Sequence, residues 1–319
     1  MDEIKYSVVI PVYNSGDWLE ELISKVEEVM NSLNGNFEIV MVNDCSPKIE
    51  TWSVMCGLSD KYKELKIINL RYNSGQQNAV MCGLKHSRGE FVITMDDDFQ
   101  HDPDDIKLLV SKMEESDTDV VIAQYDIKEH SLLRKLGSHL ANEIYAGIYS
   151  KPKDVTSNSF RIMKRRLVET LIGYHGKFPQ IGPMIFSLKP SIATVTIQHK
   201  KRKYGKSGYS LYRLISETFN IILNGSTFII DFTAGLGVII SMCSFGLLIY
   251  YLLKYIFGGI GVPGYASTIL LLTFFSGIII FSIGATGKYI GKIVKETMGF
   301  PPYMEGEIRS GKERGDSGQ

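Results

Sequence analysis

Apolar and polar positions come in alternating blocks over the first hundred residues. Ser7 to Val12 is a short β-branched run that breaks at Pro11 and Asn14. Trp18 to Met30 follows, with apolar residues near every third or fourth place, which predicts strand, loop, amphipathic helix. The pattern then repeats: Phe37 to Val42 as strand, Trp52 to Tyr62 as helix, Leu65 to Leu70 as strand, Gln76 to His86 as helix and Phe91 to Met95 as strand. Alternating βα units imply a mostly parallel, Rossmann-like α/β sheet, and such sheets bind ligands beyond the carboxyl ends of their strands. The polar residues expected there are Tyr13, Asn14, Asn43, Asp44, Arg71, Asn73, Asp96, Asp97 and Asp98.

The pattern changes toward the carboxyl end. Phe232 to Leu253 and Tyr265 to Gly287 contain no Lys, Arg, Asp or Glu. Each run is about 22 residues, enough to cross a bilayer, whereas a buried core helix of that length would show a polar face. Leu211 to Leu223 places apolar residues at helical spacing beside Arg213 and Glu217, as an interfacial helix lying on a membrane would. The expected organisation is a catalytic domain over 1–208, a juxtamembrane amphipathic helix over 209–227, two transmembrane helices over 228–288 and a polar tail over 289–319, disordered after Arg309.

Charge distribution gives these segments an orientation. Lys200, Lys201, Arg202, Lys203, Lys206 and Arg213 precede the first run, Lys288, Lys292 and Lys295 follow the second, and the linker between them carries only Lys254. By the positive-inside rule both ends face the cytoplasm, giving a multi-pass protein of the inner (plasma) membrane. In total, 35 basic and 35 acidic side chains cancel, which argues against a general nucleic-acid binder. Cys45, Cys56, Cys82 and Cys243 show neither CxxC nor ligand spacing, so neither a disulfide framework nor a zinc site is indicated. The histidines at 101, 130, 139, 175 and 199 read as surface or loop residues. No GxGxxG follows the first strand, which makes a dinucleotide dehydrogenase a poor fit.

The sharpest chemical feature is the acidic triplet Asp96-Asp97-Asp98, directly after an apolar strand. Three carboxylates this close repel one another unless a cation is present. Oxygen ligands suit Mg2+ or Mn2+, and one or two carboxylates plus substrate phosphates commonly hold such an ion. A solvated acidic loop is the competing reading of the triplet alone; its place at a strand end favours the metal.

SVVIPVYN at Ser7 to Asn14, VNDCSP at Val42 to Pro47 and MDDDFQHDPDDI at Met95 to Ile106 together resemble, in order and spacing, the GT-A fold of family 2 glycosyltransferases. LRYNSGQQNAVMCG at Leu70 to Gly83, TSNSFRIM at Thr156 to Met163, HKKRKYGKSGY at His199 to Tyr209 and the two apolar runs extend the likeness to the enzymes that glycosylate polyprenyl phosphates. That resemblance implies transfer of a sugar from a nucleotide diphosphate donor, a UDP-sugar being favoured over GDP-mannose, to polyprenyl phosphate such as undecaprenyl phosphate. It implies inversion at the anomeric carbon and a product used in cell-envelope glycan assembly.

Carried over by position, the resemblance places Pro11, Val12, Tyr13 and Asn14 around the nucleotide, with Asp44 accepting a hydrogen bond from the base and Arg71 nearby. It sets Asp96 against the ribose and diphosphate, Asp98 on the metal and Gln100 at the sugar or acceptor side. Arg134, Arg161 and Arg202 would supply cations for the lipid phosphate or donor diphosphate, with Ser207 beside Arg202. Basic residues near a span also simply meet anionic lipid. The family's Ser-Gly-Phe-Arg stands here as Ser157-Asn158-Ser159-Phe160-Arg161, which shifts the register by a residue, and the tail sequence Phe300-Pro301-Pro302-Tyr303 lacks the usual arginine. A homo-oligomer is a further expectation from the family. Two other readings compete. A processive polysaccharide synthase would need more spans and a Q-x-x-R-W motif, yet Trp occurs only at Trp18 and Trp52. An inactive, membrane-bound assembly partner would not need the intact triplet.

Overall fold

The computed structural model describes residues 3–125, 152, 155–174, 176–198, isolated positions between 235 and 257, 265–297 and 301–311. The chain forms two compact units: Met1–Gly208 together with Phe300–Gln319, and Tyr209–Gly299.

The first unit is built on an eight-stranded sheet whose strands, β1 (Ile4–Val12), β2 (Asn36–Asn43), β3 (Leu65–Leu70), β4 (Phe91–Thr94), β5 (Val120–Tyr125), β6 (Arg161–Lys164), β7 (Ile192–Ile197) and β8 (Glu305–Ser310), lie in the order β7-β5-β6-β4-β1-β2-β3-β8. Its centre is parallel: β1 lies between β2 and β4, and β3 adds beyond β2. Every residue of β1 from Tyr6 to Val12 is buried, as a central strand covered on both faces must be. Tyr6, Val8 and Ile10 share one core with α1 (Trp18–Asn31), α2 (Ile49–Lys61) and α4 (Ile106–Ser116). In α1, Leu19, Leu22, Ile23, Val26, Val29 and Met30 form the buried stripe, the spacing expected of a helix with one apolar face.

The opposite face of the sheet carries α3 (Gln76–His86), which packs on β1 and β2. This approach is close. A Cβ added at Gly83 would lie 2.3 Å from Val9 Cγ1, so only glycine lets α3 settle there.

Strands and helices up to β4 follow the apolar pattern to within a few residues, while the second half of the sheet does not announce itself. β5, β6, α5 (Arg165–Ile172), α6 (Ile181–Ser187) and β7 complete it. β6 runs antiparallel between β4 and β5, and β5 pairs parallel with β7. The start of β6 therefore lies beside the end of β4.

Part of the polar tail adds a strand to the sheet, and of the segment expected to be disordered after Arg309, Ser310 and Gly311 are ordered while 312–319 lie outside the described residues. Glu305–Ser310 forms β8, antiparallel to β3, with Arg309 opposite Ile67. Arg71 donates its backbone N–H to Met304 O at 2.9 Å, and Gly311 donates to Leu65 O at 2.8 Å. The Trp52 indole reaches Glu307 at 3.3 Å. Only Ile308 is a large apolar residue within EGEIRS, so an exposed edge strand leaves little periodic signal.

In the second unit α7 (Tyr265–Thr297) is a continuous helix of 33 residues, about 50 Å long at 1.5 Å per residue. It contains the second uncharged run. The residues described do not themselves form a helix long and apolar enough to cross a membrane. The first run and the interfacial segment Leu211 to Leu223 lie outside the described residues, apart from isolated helical positions such as Ile239 and Met242.

Candidate functional site

At the carboxyl edge of the parallel strands the backbone takes conformations that most residues avoid. Asn14 after β1, Cys45 after β2 and Phe99 after β4 have φ of 56, 48 and 60°, and Gly75 after β3 has φ of 89°. A buried Phe in the left-handed region costs roughly 1–2 kcal/mol, and such strain concentrates where loops must aim side chains at a ligand.

These loops are tied to one another. Asn14 donates its backbone N–H to Ser46 Oγ at 2.9 Å, and Ser46 in turn donates through Oγ to Asn43 Oδ1 at 2.5 Å. Asp44 is buried and accepts from the backbone of Ser74 (2.6 Å) and Gly75 (2.9 Å), one on each carboxylate oxygen. Burial pushes its carboxyl up, while those two N–H groups pull it down; the net is upward. Asp44 thus fixes the loop entering α3, with a second lone pair left on each oxygen. Pro11 and Val12 are buried at the end of β1, whereas Tyr13 is 48% exposed beyond them, its ring open to a flat partner. Arg71 is exposed at the end of β3.

The acidic triplet does not converge on one point. Asp96 is gripped on both oxygens: Gln76 Nε2 donates to Oδ1 at 2.7 Å and Ser159 Oγ donates to Oδ2 at 2.8 Å. Asp97 turns inward and accepts from Ser15 Oγ, while its carbonyl accepts from the Trp18 indole at 3.2 Å. Although the residue keeps some exposure, the crowding of protein around its carboxyl pushes it up to about 7, with Asp96 and Asp98 adding to the rise and Ser15 opposing it. Asp98 Oδ1 accepts from its own turn, at Gln100 N, 3.0 Å away. The three carboxyls thus take separate partners and do not cluster as a cage, although Asp96 and Asp98 still act on Asp97 electrostatically. Asp96 and Asp98 still fit a hard divalent cation, since both offer only oxygen and both lie at the strand end, but the ion would need substrate phosphates to complete its shell.

Several neighbours were not legible from spacing. His101, read as a surface or loop residue, is buried; its Nδ1 accepts from Asp96 N at 3.1 Å and its ring stacks on Phe160 with centroids 4.9 Å apart. Ser159, Gln76 and Ser15 reach the triplet from elsewhere in the sequence, and the polar strings TSNSF, SGQQN and NSGD are their only signal. Arg161 is buried in β6, where Nε donates to Thr94 Oγ1 at 3.3 Å. Gln100 stands partly covered beside the turn. Arg134, Arg202 and Ser207 lie outside the described residues.

A parallel α/β sheet with a carboxylate pair on the edge of its central strands is a scaffold for holding a diphosphate-bearing ligand. The chain belongs to glycosyl transferase family 2, whose family model matches residues 7–172; it is a glycosyltransferase. Among curated relatives, the undecaprenyl-phosphate 4-deoxy-4-formamido-L-arabinose transferase of Yersinia enterocolitica is 28% identical over 94% of this chain and 92% of its own length. An uncharacterised glycosyltransferase of Synechocystis is 26% identical over 96% of each chain. Among solved structures, glucosyl-3-phosphoglycerate synthase from Mycobacterium tuberculosis, determined with Mn2+, UDP and phosphoglyceric acid, superposes with a TM-score of 0.51 at 16% identity, covering 69% of this chain and 76% of that one. That likeness establishes the fold as GT-A-like.

Proposed function

We propose that the protein transfers a sugar, with inversion, from a UDP-sugar to a polyprenyl phosphate at a membrane surface. The observation that carries this reading is Asp96, fixed by Gln76 and Ser159 at the end of β4 beside the diverging Asp98. A carboxylate held so firmly at a strand end is suited to a divalent cation, and through it to a nucleotide diphosphate. The named Yersinia relative, which acts with undecaprenyl phosphate, supports the acceptor, and the Mycobacterium structure, which contains UDP and Mn2+, supports the donor and a divalent ion.

In this reading Tyr13 lies along the nucleobase, Pro11, Val12 and Asn14 shape the pocket floor, and Asp44 accepts from the base while holding the loop at Ser74. Arg71 stands nearby. Asp96 and Asp98 are the residues that would hold Mg2+ or Mn2+, which would supply neutralisation of the charge developing on the leaving group. The acceptor needs little help from a base, because a phosphate monoester is largely dianionic near neutral pH, its second pKa being about 6. Direct attack by its oxygen on the anomeric carbon breaks the sugar–diphosphate bond and inverts the centre. Gln100 faces the sugar side, and Arg134, Arg161, Arg202 and Ser207 are the groups proposed to orient phosphates, the planar guanidinium suiting that task.

The membrane enters through α7. Leu272, Ile279, Ile283 and Ile293 are exposed along it, and Tyr265 to Gly287 is free of charge in the sequence, so lipid is the natural solvent for its side chains. A polyprenyl phosphate presents its headgroup at that boundary, where proximity supplies much of the rate.

The test is transfer of radiolabel from a panel of UDP- and GDP-sugars to undecaprenyl phosphate by the full chain in detergent, with and without Mg2+ or Mn2+. Metal-dependent label in the lipid phase is the expected result and names the donor. A folded protein that moves no label from any donor, and hydrolyses none, would sink the reading and favour the inactive assembly partner.

A further inference from the structure

A second cluster of ligating groups lies on the far end of α3, away from the acidic triplet. Cys82 and His86 stand four residues apart on one face of the helix, and β8 brings Glu305 against them from the other end of the chain. One ligand atom of each lies within 4.8 Å of the others. Cys82 is fully buried, and the side chains of His86 and Glu305 are 20% and 29% exposed.

The contacts within the cluster are incomplete as a hydrogen-bonded set. His86 Nε2 sits 3.0 Å from Glu305 Oε1, yet the approach is too bent for a hydrogen bond, and Nε2 is a buried atom with no hydrogen-bond partner among the described residues. An orphaned buried imidazole nitrogen is costly. It is relieved when the lone pair meets a metal.

We propose that Cys82, His86 and Glu305 form a zinc site that fastens the returning strand β8 to helix α3. One thiolate, one imidazole and one carboxylate are ordinary zinc ligands, and sulfur excludes Mg2+ and Ca2+. Bond lengths of about 2.0–2.3 Å in a tetrahedron set ligand atoms about 3.3–3.8 Å apart, so closing a spread of at most 4.8 Å takes rotamer adjustments rather than backbone movement. Binding converts the thiol to a thiolate, the proton passing to solvent. Burial, with Glu305 adding to it, pushes the metal-free Cys82 thiol up to about 12, so it stays protonated until the metal arrives. Three protein ligands leave a fourth position for water or for a neighbour. Tyr303 is a candidate: burial raises its phenol, and the charges of Cys82 and Glu305 add to the rise.

The test uses the full chain purified in detergent, loaded with zinc and washed through a weak chelator, with metal content measured by mass spectrometry. Stoichiometric zinc is expected in the wild type and in Asp98→Asn, with loss in Cys82→Ser and His86→Gln by more than about 100-fold in affinity, the upper end of what outer-shell changes cost. Cobalt in place of zinc should give a thiolate charge-transfer band that Cys82→Ser lacks. The proposal is overturned if the wild type, folded by circular dichroism, takes up no zinc or cobalt. It is equally overturned if Cys82→Ser keeps the metal and Asp98→Asn loses it, which would put zinc on the acidic triplet.

Discussion

Asp96 illustrates how a single carboxylate is fixed in place. With Gln76 on one oxygen and Ser159 on the other, its rotamer is set before any substrate arrives. A hydrogen bond to a charged group contributes about 1.5–3 kcal/mol, so Ser159→Ala or Gln76→Ala should each lower kcat/KM for sugar transfer by about 10- to 100-fold, with the fold intact by circular dichroism. Asp98→Asn should do worse, removing metal-dependent turnover by about 10²- to 10³-fold or more, as loss of a group that stabilises transition-state charge does; an unimpaired variant in the radiolabel assay would end the metal proposal. Asp96 and Asp98 stand out in the sequence as candidate ligands because a triplet after an apolar strand is a local signal. Ser159, Ser15 and His101 were not, because they meet the triplet only through strand pairing and packing that sequence spacing does not carry.

At the scale of elements, one carboxylate pins the start of the β5–β7 pairing. Asp119 Oδ2 accepts from the backbone N–H and the hydroxyl of Ser191 at 2.9 and 2.8 Å, and Oδ1 accepts from Arg166 Nε at 2.6 Å. Burial alone would raise this carboxyl, but Ser191 and Arg166 outweigh it and hold it below its ordinary value of 3.8. A lowered folded value gives stability that is present above the ordinary value and lost as the pH falls through the lowered one. Asp119→Ala should therefore cost about 2 kcal/mol at pH 7, and the gap in thermal unfolding between wild type and variant should shrink below about pH 4. Gly83→Ala probes packing instead: with a Cβ 2.3 Å from Val9 Cγ1, α3 must lift, at a cost of about 1–3 kcal/mol, measurable as a fall in Tm.

The elements that the apolar pattern revealed are the ones buried on both faces or on one regular stripe, β1 to β4 and α1 to α3. Strand β6 sets only Ile162 and Met163 between charged ends and β8 faces solvent along most of its length, so neither imposes a period on the sequence. Pairing with β4 and β3, not intrinsic preference, makes them strands.

On the scale of the whole molecule, β8 covers the edge that β3 would otherwise present. Removing residues 301–319 should expose that row of N–H and C=O groups; the truncated chain is expected to unfold at lower temperature and to aggregate in size-exclusion chromatography. Recovery of a monodisperse protein with an unchanged Tm would show β8 to be dispensable.

Because Met1–Gly208 and Phe300–Gln319 share one body, the chain departs from that body and comes back to it. If 209–299 crosses a membrane, pairing of β8 with β3 requires an even number of crossings, and that parity would put the two termini in the same compartment. Tags on either terminus should be equally shielded from, or equally open to, a membrane-impermeant label applied to intact cells, and opposite labelling would mean that β8 cannot pair with β3 in the living membrane.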